Sequence, residues 1–173
     1  MTTTSTRPPG EAGSDYDNLD DMRLDTAQSR ELVGKSGECV FNWTTRDGYP
    51  MGVVVRYLYR DGAFWTTSVE SRTRIRALRT RTRTAVVINR DGRSATFKGR
   101  SRLHRPGDPD WAAITGWFFP AFAGTDRHPN DPTARAVEHS LDTPHQVIVE
   151  TPATLVVSFD FAKLTGASTT EQR

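Results

Sequence analysis

Apolar and polar residues alternate through the middle of this chain in short runs divided by turn residues. Residues 39–45 (Cys39-Val40-Phe41-Asn42-Trp43-Thr44-Thr45), 51–59, 63–68, 84–89 and 94–104 each carry the period of two and the β-branched and aromatic content of a strand. Asp47-Gly48, Asp61-Gly62 and Asp91-Gly92 lie between such runs. Asp-Gly is a hairpin signal, because the tight turn needs positive φ at positions that only small or Asx residues occupy cheaply. Residues 146–150 and 153–159 are expected to form a last hairpin about Thr151-Pro152. The pattern predicts an antiparallel meander of about seven strands, curled into a closed or split barrel that hides its sheet edges.

Four segments change period. Asp25 or Thr26 can cap a helix running to Lys35. Residues 71–80 place Ile75, Ala77 and Leu78 on one narrow face with arginines on the other, which predicts a short helix between strands. Pro109 opens a helix carrying Trp111, Ile114, Trp117 and Phe118, expected to stop near Pro120. Asp131-Pro132 opens another through Leu141. The aromatics of the third helix read as core or dimer interface, and Tyr57 and Tyr59 as neighbours on one strand face.

Residues 1–24 are Thr, Ser, Pro, Gly and Asp with almost nothing apolar, and are expected to form a disordered acidic tail. The domain is expected over residues 25–165, with a flexible tail at 166–173. A 173-residue chain, 35% hydrophobic, with a mean hydropathy of −0.60, supports one modest core. No apolar run reaches the length of a membrane span or a signal peptide, so a cytoplasmic protein is expected. Cys39 stands alone in an apolar strand and reads as a buried, inert thiol. His104, His128, His139 and His145 show no metal-ligand spacing, and His104 reads as a surface residue.

The net charge of +2 hides an asymmetry. Glu11, Asp15, Asp17, Asp20, Asp21 and Asp25 crowd the N-terminus, whereas residues 72–105 hold twelve Arg or Lys against the single acid Asp91. A field of that sign attracts an anion. Its densest part follows Phe64-Trp65-Thr66-Thr67-Ser68, where Arg72, Arg74, Arg76, Arg79, Arg81 and Arg83 recur. Strand-end hydroxyls followed by guanidinium groups are what a phosphate monoester needs. Arg79, Arg81 and Arg83 read as solvated, or as reaching an extended anionic tail. The charges cluster on one short helix and its neighbours without a nucleic-acid motif, which argues against nucleic acid as the partner.

Gly48-Tyr49-Pro50, the Asp61-Gly62 turn, residues 64–68, the helix from Ser71 to Leu78 and Gly99 together resemble the pyridoxamine 5'-phosphate oxidase-like split-barrel superfamily of flavin and deazaflavin oxidoreductases. The resemblance covers residues 26–165 and rests on the order and spacing of elements. It implies a mainly β split barrel of the FMN-binding type, with short helices at its corners, forming a homodimer with the cofactor at the subunit interface. The cofactor is expected to be FMN, or alternatively the deazaflavin coenzyme F-420. By the resemblance its phosphate falls to Thr66, Thr67, Ser68, Arg72 and Arg74, and its ring to the main chain of Val53, Val54 and Val55. Counting from Gly62 and from Leu78 differs by one residue, so Arg72 and Arg74 share the basic assignment. The oxidase itself has an arginine where this chain has Met51, and a lysine where it has Thr73 or Arg74. These departures argue against authentic pyridoxamine phosphate oxidation. The implied activity is hydride transfer to or from a small organic substrate; the alternative is a non-catalytic flavin or haem binding or storage protein on the same fold.

Overall fold

The computed structural model describes residues 19–35 and 37–165; residues 1–18 and 166–173, expected to be tails, lie outside the described residues. Strands are β1 (Glu38–Thr44), β2 (Pro50–Arg56), β3 (Leu58–Arg60), β4 (Ala63–Val69), β5 (Arg83–Arg90), β6 (Arg93–Arg100), β7 (Arg102–His104) and β8 (Gln146–Asp160). Helices are α1 (Thr26–Lys35), α2 (Thr73–Leu78), α3 (Trp111–Ala123), α4 (Pro132–Leu141) and α5 (Phe161–Thr165). The strands form one antiparallel sheet in the order β2-β1-β5-β6-β8-β4-β3, with β7 also on β8. β2 and β3 are the two ends of that order, yet only Tyr57 separates them in the chain. The sheet therefore curls until its edges meet at Tyr57, which leaves a split barrel rather than an open sheet.

Residues 51–59 are thus two strands and not one. Tyr57 is the corner: its ring is buried, its hydroxyl donates to the Val33 carbonyl at 2.8 Å, and its amide donates to Gly37. Tyr59, on the far side of the corner, is exposed, and Tyr57 belongs to neither strand, yet both rings pack edge-on against Phe64. Residues 94–104 likewise break at Ser101, whose hydroxyl joins those of Thr84 (2.9 Å) and Thr151 (2.8 Å) in a buried chain. Buried hydroxyls satisfied by one another fix that kink without an unpaired polar group.

The expected last hairpin is a single strand, β8. Its residues 146–152 pair with β4, its residues 148–150 also with β7, and its residues 153–160 with β6. Pro152 sits where pairing passes from one partner to the next, so its missing N–H costs the ladder little. A Pro beside a Thr between two apolar runs has the same sequence signature in a bend as in a turn. Gly99 is where β6 crosses this bend: a Cβ there would lie 2.3 Å from the Pro152 carbonyl oxygen.

The Asp61-Gly62 and Asp91-Gly92 turns are as expected, with φ of 53° and 77°, and of 50° and 75°. α1 begins with a reciprocal cap, Asp25 accepting from the Gln28 amide while Gln28 accepts from that of Asp25. Regular contacts are present before residue 25: Asp20–Met22 forms a 3-10 turn, Met22 and Leu24 are buried, and the Leu24 amide donates to Ser158. Two apolar side chains and one tertiary bond hold a stretch whose composition alone reads as tail. α3 runs through Pro120 to Ala123 instead of stopping there. Phe118, Phe119 and Phe122 pack against Ile114, Leu141 and Ile148, and burying aromatics on both sides of the proline outweighs its cost of about 3 kcal/mol.

A further correction concerns His104, which is buried. Its Nδ1 lies 2.9 Å from Asp110 and its Nε2 3.3 Å from Glu150, with the ring stacked on Trp65. It ties β7, β8 and the start of α3 together. The main core gathers Phe41, Trp43, Tyr57, Phe64, Ile75, Leu78, Val86, Ile88, Val147 and Val149 inside the barrel.

Candidate functional site

β4 alternates across the barrel wall. Phe64, Thr66 and Ser68 are buried on the interior side, while Trp65, Thr67 and Val69 are only partly covered. The chain then turns through Glu70 and Ser71 into α2, with the Arg72 amide donating to Val69. Burial of Ile75, Ala77 and Leu78 pins this six-residue helix, leaving Arg72, Thr73 and Arg76 exposed and Arg74 half-buried. Arg74 Nη2 donates to the Thr67 carbonyl at 3.3 Å.

Arg72, Thr73 and Arg74 form one wall of a groove of about 300 Å³, and Trp43, Thr45, Met51 and Val53 form the other. Trp43 faces Met51 and Phe41 faces Val53 across the β1–β2 ladder, which sets this apolar wall against the arginines. Among the described residues neither Arg72 nor Arg74 has a carboxylate partner within 4 Å. Burial lowers the Arg74 pKa from its ordinary value, and the neighbouring Arg72 charge lowers it further. Both effects penalise an unpaired cation, and an anion between the two guanidinium groups would relieve both.

Three buried side-chain polar atoms among the described residues also lack a partner, one of them on Ser29, which does not line this groove. The Trp43 Nε1–H and the Ser68 hydroxyl have no partner among the described residues. Buried polar atoms are paired as a rule; the Trp43 side chain lines the groove, but its Nε1 is itself buried. A phosphate monoester suits this chemistry: two guanidinium donors beside an apolar floor. No group of three or more His, Cys, Asp or Glu among the described residues is placed to hold a metal.

The groove thus unites Val53, Arg72 and Arg74 of the expected residues. Val54 points outward, 63% exposed, and Val55 packs beside Val53 against the core. Thr66 and Ser68 face the barrel interior. The Thr67 hydroxyl donates to the Val147 carbonyl at 3.2 Å and accepts from the Gln146 side chain, so Thr67 enters the site through its carbonyl, as the anchor of Arg74. Met51 and Thr73, which the resemblance marked only as departures from the oxidase, also line the groove. Trp43 and Thr45 were not expected there; the signal for them is the β1–β2 register, which follows from the five-residue loop at Asp47-Gly48 but from no motif.

The outer arginines divide. Arg79 is not free in solvent: it pairs with Glu70, which Arg105 also holds at 3.1 Å. Burial works against ionising Glu70, but the hydrogen bonds from Arg79 and Arg105 outweigh it and lower its pKa. Arg81 Nε donates to the Thr44 carbonyl at 3.0 Å. Arg83 is exposed. No helix among the described residues is long and apolar enough to cross a membrane.

No protein-family model matches the chain, and no curated protein matches it in sequence. Solved structures do match. A conserved hypothetical protein of Mycobacterium tuberculosis superposes with a TM-score of 0.66 at 18% identity, over 89% of this chain and 95% of that one. A protein related to general stress protein 26 from Clostridium acetobutylicum, of the pyridoxinephosphate oxidase family, gives 0.55 at 15%, over 80% and 95%. An F-420 reductase gives 0.51 at 16%, over 72% and 92%. The chain has the fold of the pyridoxamine 5'-phosphate oxidase-like split barrels, as its sequence led us to expect.

Proposed function

We propose that this chain is a flavin-type oxidoreductase that binds the phosphate of FMN between Arg72 and Arg74, with Trp43 and Val53 on the facing wall. The observation that carries the reading is the pair of arginines without a carboxylate partner among the described residues, on one wall of a groove whose facing wall holds Trp43, Met51 and Val53. When bound, the flavin supplies the hydride chemistry; the chain supplies binding, orientation and a dry wall. FMN is preferred to the deazaflavin F-420 because Arg79 is neutralised by Glu70 and Arg81 is spent on a carbonyl. That leaves a short track of charge, suited to one phosphate rather than to a long anionic tail. Among the fold's neighbours, one is of the pyridoxinephosphate oxidase family and another is an F-420 reductase, which supports the same class of ligand.

The active form on this reading is a homodimer. A groove of about 300 Å³ lies at the small end of ligand sites and leaves the ring to be enclosed by a second surface. The outer face of the sheet offers one: Val54, Val40, Val87, Thr96 and Val157 are directly paired neighbours in a row across five strands. Val54 and Val157 are 63% and 51% exposed. The β6–β8 register shifts after Thr96, and this bulge puts Val156 and Val157 on the surface in succession. A contiguous apolar row of this kind marks an interface.

The test is titration of the purified protein with FMN and with F-420, followed by absorbance and fluorescence. Saturable FMN binding at micromolar or lower concentration is expected, with reduction of the bound flavin by a nicotinamide donor. Failure to bind either cofactor would sink the reading; binding without turnover of any acceptor would leave a storage or carrier protein in its place.

A further inference from the structure

At the other end of β2 from the arginine pair lies a second groove, of about 530 Å³. Arg56, Tyr57, Leu58, Tyr59 and Arg60 form one side, Trp117, Ala121 and Arg127 another, and the end of α1 closes the third. Met51 and Arg56 are five residues apart on an extended strand, about 17 Å, so the two grooves are separate places.

Three guanidinium groups line this groove, and among the described residues no carboxylate does. Arg60 lies over the Trp117 ring with its Cζ 4.5 Å from the centroid, and Arg56 over the Phe122 ring at 5.1 Å. Stacking on a ring engages the face of a guanidinium and leaves its N–H groups, which radiate in the plane, free to donate. Arg56 has no ion-pair partner among the described residues. The charge on Arg60 is shared only with the exposed Asp61, at 3.3 Å, and that on Arg127 only with its neighbour Asp126, at 3.6 Å. The half-exposed Tyr59 and the Trp117 indole add flat apolar surface between the cations.

Arg56 and Arg60 are held in place by aromatic rings, Arg56 without an ion-pair partner and Arg60 and Arg127 sharing charge only with an acid adjacent in sequence, so donors remain for an oxyanion. We infer that this groove is a second ligand site, for a small flat organic anion whose carboxylate or phosphate is taken by Arg56, Arg60 and Arg127 and whose ring lies against Tyr59 and Trp117. The assignment does not depend on flavin binding at the first groove. The rings fix where the charge goes, so the anion's flat body and its acid group are recognised together.

The probe is 2-naphthoate, titrated into the full chain by calorimetry, with the neutral 2-naphthamide as its control. One saturable site per chain is expected, with the amide at least about tenfold weaker, the effect of losing one charge-assisted hydrogen bond. Arg56→Gln with Arg127→Gln weakens naphthoate by at least the same factor, and both side chains are exposed, so the fold is spared. Arg72→Gln with Arg74→Gln leaves naphthoate binding unchanged while it weakens FMN. Absence of saturable binding, or equal affinity for acid and amide, overturns the inference without any variant. Loss of naphthoate in the Arg72 and Arg74 variant alone also overturns it, since the anion would then occupy the first groove.

Discussion

Arg74 reaches back from the first turn of α2 to donate to the main-chain carbonyl of Thr67, 3.3 Å away. The same side chain that would hold a phosphate therefore also holds the β4–α2 turn in shape. Arg72, two residues earlier, has no such tie, and this difference separates binding from folding at the site.

Arg72→Gln and Arg74→Gln are each expected to weaken FMN binding by about 1.5–3 kcal/mol, the worth of a hydrogen bond to a charged group. Only Arg74→Gln should also lower the urea midpoint of the free protein, because only it removes a bond that exists without ligand. Fluorescence titration and denaturation of both variants read the two effects apart. Equal loss of stability in both would put the turn's anchor elsewhere.

Charge placed on the outer sheet row should break the dimer. Val54→Arg with Val157→Arg puts two guanidinium groups into the exposed apolar band, where burial against a second copy would cost several kcal/mol per ion. Sedimentation of the wild type as a dimer and of the variant as a folded monomer is expected. A monomeric wild type at micromolar concentration would remove this face as the interface.

Gly99→Ala is expected to destabilise the fold by about 1–3 kcal/mol, the usual cost of forcing atoms into a packed site. The new methyl would meet the Pro152 carbonyl at 2.3 Å and the Thr151 methyl at 2.9 Å. Neither can move without disturbing the bend of β8. A shift of the thermal midpoint measures it, and an unshifted midpoint would show that the bend yields freely.

Burial pushes the Cys39 thiol from 9.0 up to about 12. The thiol should therefore resist a disulfide reagent at pH 8 until denaturant is added. Because the folded pKa is the higher one, the contribution is complete below pH 9 and is lost as pH rises toward 12. Cys39→Ala should flatten that alkaline limb of the stability curve, and an unchanged limb would assign it to other groups.

Much of the fold follows from local pattern. Asp61-Gly62 and Asp91-Gly92 could only be tight turns, since few other residues accept positive φ twice in succession. The alternation in β1, β4 and β5 assigns Phe41, Phe64 and Val86 to the interior. Tyr57, Ser101 and Pro152 were misplaced for one reason. At Tyr57 and Pro152 the chain changes its partner strand, and at Ser101 it leaves β5 and passes from one half of β8 to the other; such changes leave no mark on the period of hydrophobicity. His104 was misplaced because only Asp110 and Glu150, distant or polar in sequence, make its burial tolerable.

The sequence by itself determined where β-structure runs, where helices interrupt it and where the basic element from Arg72 onward lies, because these depend on neighbours within a few residues. Tertiary structure alone decided which arginines remain available. Glu70 claims Arg79, the Thr44 carbonyl claims Arg81, and Trp43, Met51 and Val53 meet Arg72 and Arg74 across a groove. Charge is a property of the residue, but freedom to bind is a property of what the fold brings beside it.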